Sequence, residues 1–423
     1  MPVVSLEQLR PGLVLAADMK TVHGRLLAGS GSKVTAELLK IARIWGITEA
    51  EVEESISDKS LSDPLADLSQ KQLKLLNALI AWRFALSRES SPWLKHLKKI
   101  SRNRAAQEML TQDPEQVVIK YRGRKIHSQN CRTLSRPAEA SSLESVIQNE
   151  VQLASLPAVF HEIVRVMNDP LSSAAHIAEV ISRDTSLSSR MLRLVNSSFY
   201  SFMSRIDTLS RAVTIVGTVE ITNLAMGISV ISRFRDIPEE LVDMRGFWEH
   251  SIAAGVIARI LATRTKHPGL EQVFVGGLLH DLGRLVLIRH YPEICAAMFE
   301  YSTARPSALQ DLEKQVLGYH HASLGAGLLR EWKIPASLQS MVGGHHDLLP
   351  EAADPALLIH IADILSHALG LGSSGSRRVP RINPGIWEKT GLPLSTLPSL
   401  VSQAENQIRD LMRIIVQENG HAG

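Results

Sequence analysis

The sequence predicts a mainly α protein in which a helical bundle follows a small α+β domain. Three features carry that reading. Apolar residues recur at helical spacing from Leu143 onward, among them Ile163, Val166, Ile177, Val180, Ile181, Leu187, Met191, Leu192 and Val195. Residues 1–55 instead set short extended runs between turns, at Pro11-Gly12 and near His23-Gly24. The length of 423 residues exceeds what one core usually organises. A prior of roughly 100–200 residues per domain points to two or three units.

Within residues 1–55, Leu13-Val14-Leu15-Ala16 reads as extended chain. Thr35 caps a helix with Leu38, Leu39, Ala42 and Ile44 on its apolar side, and a last short strand lies around Val52. Residues 56–140 read as a helical, basic connector, amphipathic from Gln70 to Leu86 and again from Trp93 to Leu110, with a polar tail. Between Ala81 and Arg136 lie thirteen Lys or Arg against four Asp or Glu, including Arg83, Lys95, Lys98, Lys99, Arg102, Arg122, Arg124 and Lys125. The stretch offers no recognition motif and no set of stacking aromatics, so a solvated basic face is the favoured reading and nucleic-acid binding the weaker one. Residues 141–370 form the bundle, punctuated at Gly217 and near Pro238. Residues 371–423 supply a Gly-Ser-Pro loop and a final amphipathic helix marked by Val401, Ile408, Leu411 and Ile415, expected to pack on the bundle.

Apolar residues make up 44% of the chain and charged residues 21%, which excludes a disordered class. The net charge of +3 names no partner. No run approaches the roughly 18 apolar residues of a spanning helix, and Met1-Pro2-Val3-Val4 lacks the pattern of a signal peptide, so a cytoplasmic protein without a membrane partner is expected. Cys131 and Cys295 have neither C-x-x-C spacing nor the numbers for a disulfide framework, and read as free thiols, with Cys131 an inert loop residue.

The chemistry gathers in the second half. His280-Asp281 sits in an apolar stretch, Phe274 to Arg284, read as helix. Gly276-Gly277 just before it costs a helix interior about 1 kcal/mol per glycine, which implies that another backbone or a ligand lies close. His250 opens a helix whose Ala253, Ala254 and Ile257 share its face, so it points inward. His321 shares a face with Gly325 and Leu328, whereas His320 is the less inward of that pair. His345-His346 closes a helix that starts near Pro335, with Leu338, Met341 and Val342 on its buried side. Asp363 lies in an apolar helix, where a buried carboxylate requires a cation or strong donors. Singly, each reads better as a satisfied core residue, a cap or a partly exposed helix position than as a ligand. Together, neutral imidazoles and carboxylates suit one or two divalent transition ions, Fe, Mn, Zn or Ni, and such ions serve phosphoryl hydrolysis. Arg284, one turn after Asp281, can meet a phosphate oxygen with its planar fork or form an ion pair.

The order of these residues resembles that of HD phosphohydrolases. By that resemblance His250, His280, Asp281 and Asp363 correspond to the four ligands shared across the superfamily, and His321, His345 and His346 to those completing a dinuclear site in HD-GYP proteins. Leu156-Pro157-Ala158-Val159, Ile181 through Leu187, Leu194 through Tyr200, Ala212 through Gly217, Phe247 through Ser251 and Gly277 through Gly283 are similar to the landmarks of HDOD modules. The Pro-Gly, Gly-Arg-Leu-Leu and Trp-Gly-Ile features of residues 1–55 resemble the small domain found ahead of HD-GYP modules. The resemblance implies an HDOD/HD-superfamily bundle and a regulatory sensor or scaffold in bacterial signal transduction. Its partners would be signalling proteins or a nucleotide second messenger, and a homo-oligomer is compatible with it. A metal-dependent phosphohydrolase or phosphodiesterase acting on a nucleotide or cyclic dinucleotide is the alternative, with Asp281 and Arg284 as its catalytic pair. The sequence departs from HD-GYP proteins after the His pair. It runs Asp347-Leu348-Leu349-Pro350 without the Gly-Tyr-Pro stretch, and Gly246 offers no extra carboxylate one turn before His250.

Overall fold

The computed structural model describes residues 3–5, 9–20, 26–44, 47, 49–53, 64–87, 90–123, 141–153, 158–169, 172–200, 202, 204–231, 233–234, 237–347 and 355–416. The landmarks His23-Gly24, Trp45-Gly46, Arg124, Lys125, Cys131 and Leu156-Pro157, and the connector's polar tail, lie outside them.

The N-terminal unit has its own core, built by Leu9, Leu15, Met19, Val34, Leu39, Ala42, Ile47, Ala50 and Val52. Strand β1 (Val3–Ser5) pairs antiparallel with β4 (Glu49–Glu51), and β2 (Met19–Lys20) pairs with β3 (Leu26–Ala28). Helix α1 (Ala36–Ile44) begins where expected, with the Thr35 hydroxyl accepting the Leu38 N–H at 3.0 Å. The extended run at Leu13–Ala16 contributes isolated bridges, Val14 to Lys33 and Leu15 to Val52, in place of a named strand.

Helices α2 (Gln70–Arg83), α3 (Pro92–Thr111) and α4 (Pro114–Arg122) match the two amphipathic stretches of the connector and extend them. They share the main core instead of bridging two units: Leu76, Leu79, Trp93, Leu97, Ala105 and Val117 are buried in it. Trp93 packs against Trp387, ring centroids 5.8 Å apart. Arg83, counted by sequence among the basic face, is buried and donates to Ser101 Oγ and to the Ala368 and His367 carbonyls, capping the C-terminus of a later helix.

The bundle runs through α5 (Leu143–Leu153), α6 (Ala158–Met167), α7 (Ala174–Ser182), α8 (Thr185–Val195), α9 (Leu209–Val216), α10 (Thr218–Ile231), α11 (Met244–Arg264), α12 (Leu270–Leu279), α13 (Leu282–His290), α14 (Pro292–Ala304), α15 (Leu309–Leu317), α16 (His321–Glu331), α17 (Ala336–Gly344) and α18 (Pro355–Leu369). Gly217 ends α9 at φ +117°, as its predicted role as punctuation requires. The last helix, α19 (Leu397–Ile415), packs on α11 and α8 through Leu400, Ala404, Ile408 and Leu411. Among the described residues no single helix is long and apolar enough to cross a membrane.

Two close approaches set the geometry of the second half. A Cβ on Gly277 of α12 would sit 2.7 Å from Gly255 Cα of α11 and 2.8 Å from its nitrogen. A Cβ on Gly283 of α13 would fall inside contact distance of the His321 carbonyl oxygen and 2.7 Å from Gly325 N of α16. The glycines are therefore retained for neighbouring backbone. This also corrects the helical reading of His280-Asp281. The pair occupies the break between α12 and α13, because α13 steps away to lie directly on α16.

Cys295 on α14 is fully buried, and burial pushes its thiol well above the ordinary range. Native protein titrated with DTNB is expected to show no more than one reactive thiol, and a Cys131→Ser variant none. A second rapid thiol in the native state would contradict the burial of α14.

Candidate metal centre

The helix break places His280 and Asp281 at one level, opposite His250 on α11 and Asp363 on α18. These helices pack side by side, so three chain segments far apart in sequence deliver side chains to one point. His250 Nε2 lies 3.1 Å from Asp363 Oδ1 and 3.7 Å from Asp281 Oδ2. His280 Nε2 lies 3.3 Å from Asp281 Oδ2 and 3.7 Å from Asp363 Oδ1. None of the four is more than 3% exposed.

Close as they are, His250 Nε2, His280 Nε2 and Asp363 Oδ1 are not aligned as hydrogen-bond partners. The other ring nitrogen of His280 faces the Gly277 carbonyl at 2.7 Å, and that of His345 faces the Val342 carbonyl at 2.7 Å. A backbone acceptor at Nδ1 keeps the proton there and leaves the Nε2 lone pair pointing inward, as in metal-binding histidines. Buried polar atoms without partners are costly, and converging lone pairs are what a divalent cation satisfies. The residues present therefore fit a transition-metal ion. Among the described residues, three groups have ligand atoms mutually close enough to hold one: His250, His280 and Asp281; His250, Asp363 and His367; and His321, His345 and His346.

The charges agree. Asp281, Asp363 and Glu313 are three buried carboxylates facing the single buried guanidinium of Arg284, a local deficit of positive charge. Burial raises both aspartates, but Arg284, His280 and His321 outweigh it at Asp281, as His367 and His250 do at Asp363, and both stay well below the usual carboxylate range. Burial pulls His280 down, yet the two aspartates push it up to about 10, so without a cation a proton takes its place. Burial holds His345 and His346 well below the ordinary value and brings His367 down to about 3, leaving neutral imidazoles suited to ligation.

His321 starts α16 at a second edge of the cluster. Its Nε2 is 3.0 Å from Asp281 Oδ1 and 3.0 Å from His346 Nε2, and its Nδ1 is 2.5 Å from Glu313 Oε2. Asp281 thus turns Oδ2 toward His250 and His280, and Oδ1 toward His321. His320 is buried as well, capping α16 through the Ser323 N–H and facing Asp347 at 3.2 Å. Arg284, expected from sequence to offer its fork to a phosphate, is 3% exposed and fully engaged by protein. Nη1 donates to Asp281 Oδ2 (3.0 Å) and Ser374 Oγ (2.6 Å), Nε to Glu313 Oε1 (3.3 Å), and Nη2 lies 2.9 and 3.1 Å from the His321 ring nitrogens.

All seven histidines and aspartates singled out by sequence come together. Three residues were missed. His367 lies four residues after Asp363 on the same helix face, with its Nε2 3.3 Å from Asp363 Oδ1, and that spacing was a usable signal. Glu313, eight residues before His321, and Ser374, in the Gly-Ser-Pro loop, have no spacing signature.

The HDOD domain family model matches residues 153–348. That span holds every cluster histidine except His367, while Asp363 and His367 lie beyond it. An uncharacterised protein of Treponema pallidum (strain Nichols) is 28% identical over 239 residues, covering 53% of this chain and 46% of that protein, so this chain spans about half the length of the curated relative. A crystal structure from Marinobacter aquaeolei VT8, named for signal transduction, aligns with TM-score 0.50 and 22% identity over 64% of each chain. An HDOD domain protein of unknown function from Geobacter sulfurreducens aligns with TM-score 0.49 and 20% identity over 64% of this chain and 96% of that one. A structure from Shewanella amazonensis SB2B, named as a phosphohydrolase, aligns with TM-score 0.47 and 22% identity over 64% of this chain and all of the other. Residues 153–348 thus carry the match to the HDOD domain family, within a longer and mainly helical chain.

Proposed function

We propose that this protein is a regulatory sensor or scaffold in bacterial signal transduction, and that its HDOD module is stabilised by a divalent transition metal held among His250, His280, Asp281 and Asp363, with His321, His345 and His346 beside them. The observation that carries the reading is the sealing of the cluster. Asp281 is 2% exposed and Arg284 is held by four protein partners, an arrangement suited to holding a conformation rather than to turnover. The partner reading that conformation is a signalling protein or a nucleotide, with residues 1–55 placing the module in an assembly.

A metal-dependent phosphohydrolase is the second reading. It is favoured by one feature: Asp281 presents its two oxygens to two different groups of histidines, as a carboxylate bridging two ions does. A bound ion would polarise a phosphoryl oxygen and acidify water. In this reading Asp281 positions the ion, and Arg284 must rotate to orient the substrate.

Elemental analysis of purified protein, with thermal unfolding before and after chelation, tests both. Bound metal is expected, with stabilisation of about 3 kcal/mol at a hundredfold excess over Kd. No hydrolysis of bis(p-nitrophenyl) phosphate or cyclic dinucleotides is expected beyond that of a His280→Ala/Asp281→Ala variant. Turnover abolished by that variant would replace the scaffold reading by the hydrolase. Metal retained by it would refute the site.

A further inference from the structure

Two sides of the cluster are built differently, although both contain imidazoles and both share Asp281. On the side of α11 and α18, the Nε2 atoms of His250 and His280 and Asp363 Oδ1 lack hydrogen-bond partners, and His367 brings a further imidazole, its Nε2 3.3 Å from Asp363 Oδ1. On the side of α15 and α16, His321 and Glu313 are already engaged, whereas His345 Nε2 and His346 Nδ1 are open and, with His321, are the ligands a second ion would have to use. The guanidinium of Arg284 lies between them and Asp281, reaching Asp281 Oδ2, Glu313 Oε1, both nitrogens of His321 and Ser374 Oγ.

We propose that Arg284 is a built-in cation that takes the place of one metal ion: the site holds a single divalent ion on the side of His250, His280, Asp281, Asp363 and His367, and the guanidinium neutralises the side of His321 and Glu313. This rests on the reading of the cluster as a metal site and sharpens it to a stoichiometry and a ligand set that includes His367. The physical reason is charge and space. A second divalent ion beside His321 would face a fixed positive charge buried with it, in a medium that screens little. Arginine cannot relieve that repulsion by losing its proton, as lysine can. The contacts of Glu313 support the same division. It accepts from the His321 backbone N–H at 2.9 Å and meets its Nδ1, so its two oxygens tie arginine and histidine together as one unit. The loop carrying Ser374 is fixed in turn, since Ser373 N–H donates to the Gly246 carbonyl at 3.0 Å, at the start of the helix that bears His250.

The test is the metal-to-chain ratio of the full-length protein, loaded with Mn²⁺ or Co²⁺ and desalted. One ion per chain is expected for the wild type and two for Arg284→Gln. His367→Ala is expected to weaken wild-type metal retention at least tenfold while leaving the far-UV circular dichroism unchanged. Two ions in the wild type would overturn the inference while leaving the metal site intact, and so would one ion in a folded Arg284→Gln. Should Arg284→Gln not fold, the wild-type ratio decides alone. No ion in the wild type would refute the metal reading itself; a gain of one ion in Arg284→Gln would then still support the role given to Arg284, and no gain would end both.

Discussion

Gly283→Ala is expected to destabilise the bundle by at least about 3 kcal/mol, the upper end of what overpacking a core costs, because the added methyl meets rigid backbone and not a side chain that can rotate away. The Cβ would strike the His321 carbonyl oxygen and lie 2.7 Å from Gly325 N, so α13 and α16 must separate. Those helices carry Arg284 and His321, and Asp281 immediately precedes the first of them. The variant should therefore lose bound metal as well as melt lower, by roughly 5 °C or more. Gly344→Ala is the control. It is also a helical glycine beside the cluster, but its Cβ would meet only Ala356 Cβ at 3.5 Å, ordinary contact, and helix propensity slightly favours the alanine. Equal melting temperatures for the two variants would refute the close approach of α13 and α16.

That contrast shows what the sequence could and could not tell. Helical period is a local property, so the apolar faces of α7, α8, α17 and α19 were legible from spacing alone, as was the inward direction of His250 and Asp363. The glycines announced a close neighbour but could not say which, because the neighbour is set by packing between segments distant in sequence. The break at His280-Asp281 could not be placed for the same reason: the three glycines between Phe274 and Arg284 weaken a helix without saying where it stops, and the break adjoins the close approach of Gly283 to His321. Residue type misled twice. A tally of Lys and Arg placed Arg83 on a solvated face, whereas its guanidinium caps α18 inside the core, and Arg284 read equally as a phosphate ligand or an ion pair. Its true partners, Glu313 and Ser374, are brought to it only by α15 and the loop after α18.

Asp281→Asn and Arg284→Gln, each introduced into chelator-stripped protein, are expected to cost about 3–5 kcal/mol apiece in urea unfolding, the range for removing one member of a buried ion pair. Each breaks the 3.0 Å contact between Asp281 and Arg284 inside the buried pocket. The Asp281→Asn change would leave the guanidinium with Glu313 but without its 3.0 Å contact to a charged Asp281 Oδ2, and His280 without one of the two carboxylates that favour its charged form. The Arg284→Gln change would leave Asp281 and Glu313 facing each other across His321. The double variant removes both charges at once, so its cost should fall short of the sum of the single costs by roughly 0.5–3 kcal/mol, the coupling seen between residues in direct contact. The magnitude separates two pictures of Arg284. A guanidinium that neutralises the carboxylates of this pocket couples strongly to Asp281, and the deficit from additivity is large. A guanidinium held chiefly by Ser374 and Glu313, and free to swing toward a substrate, couples weakly, and the two costs add. Strict additivity would therefore remove the basis for treating Asp281 and Arg284 as a fixed pair and would favour the hydrolase.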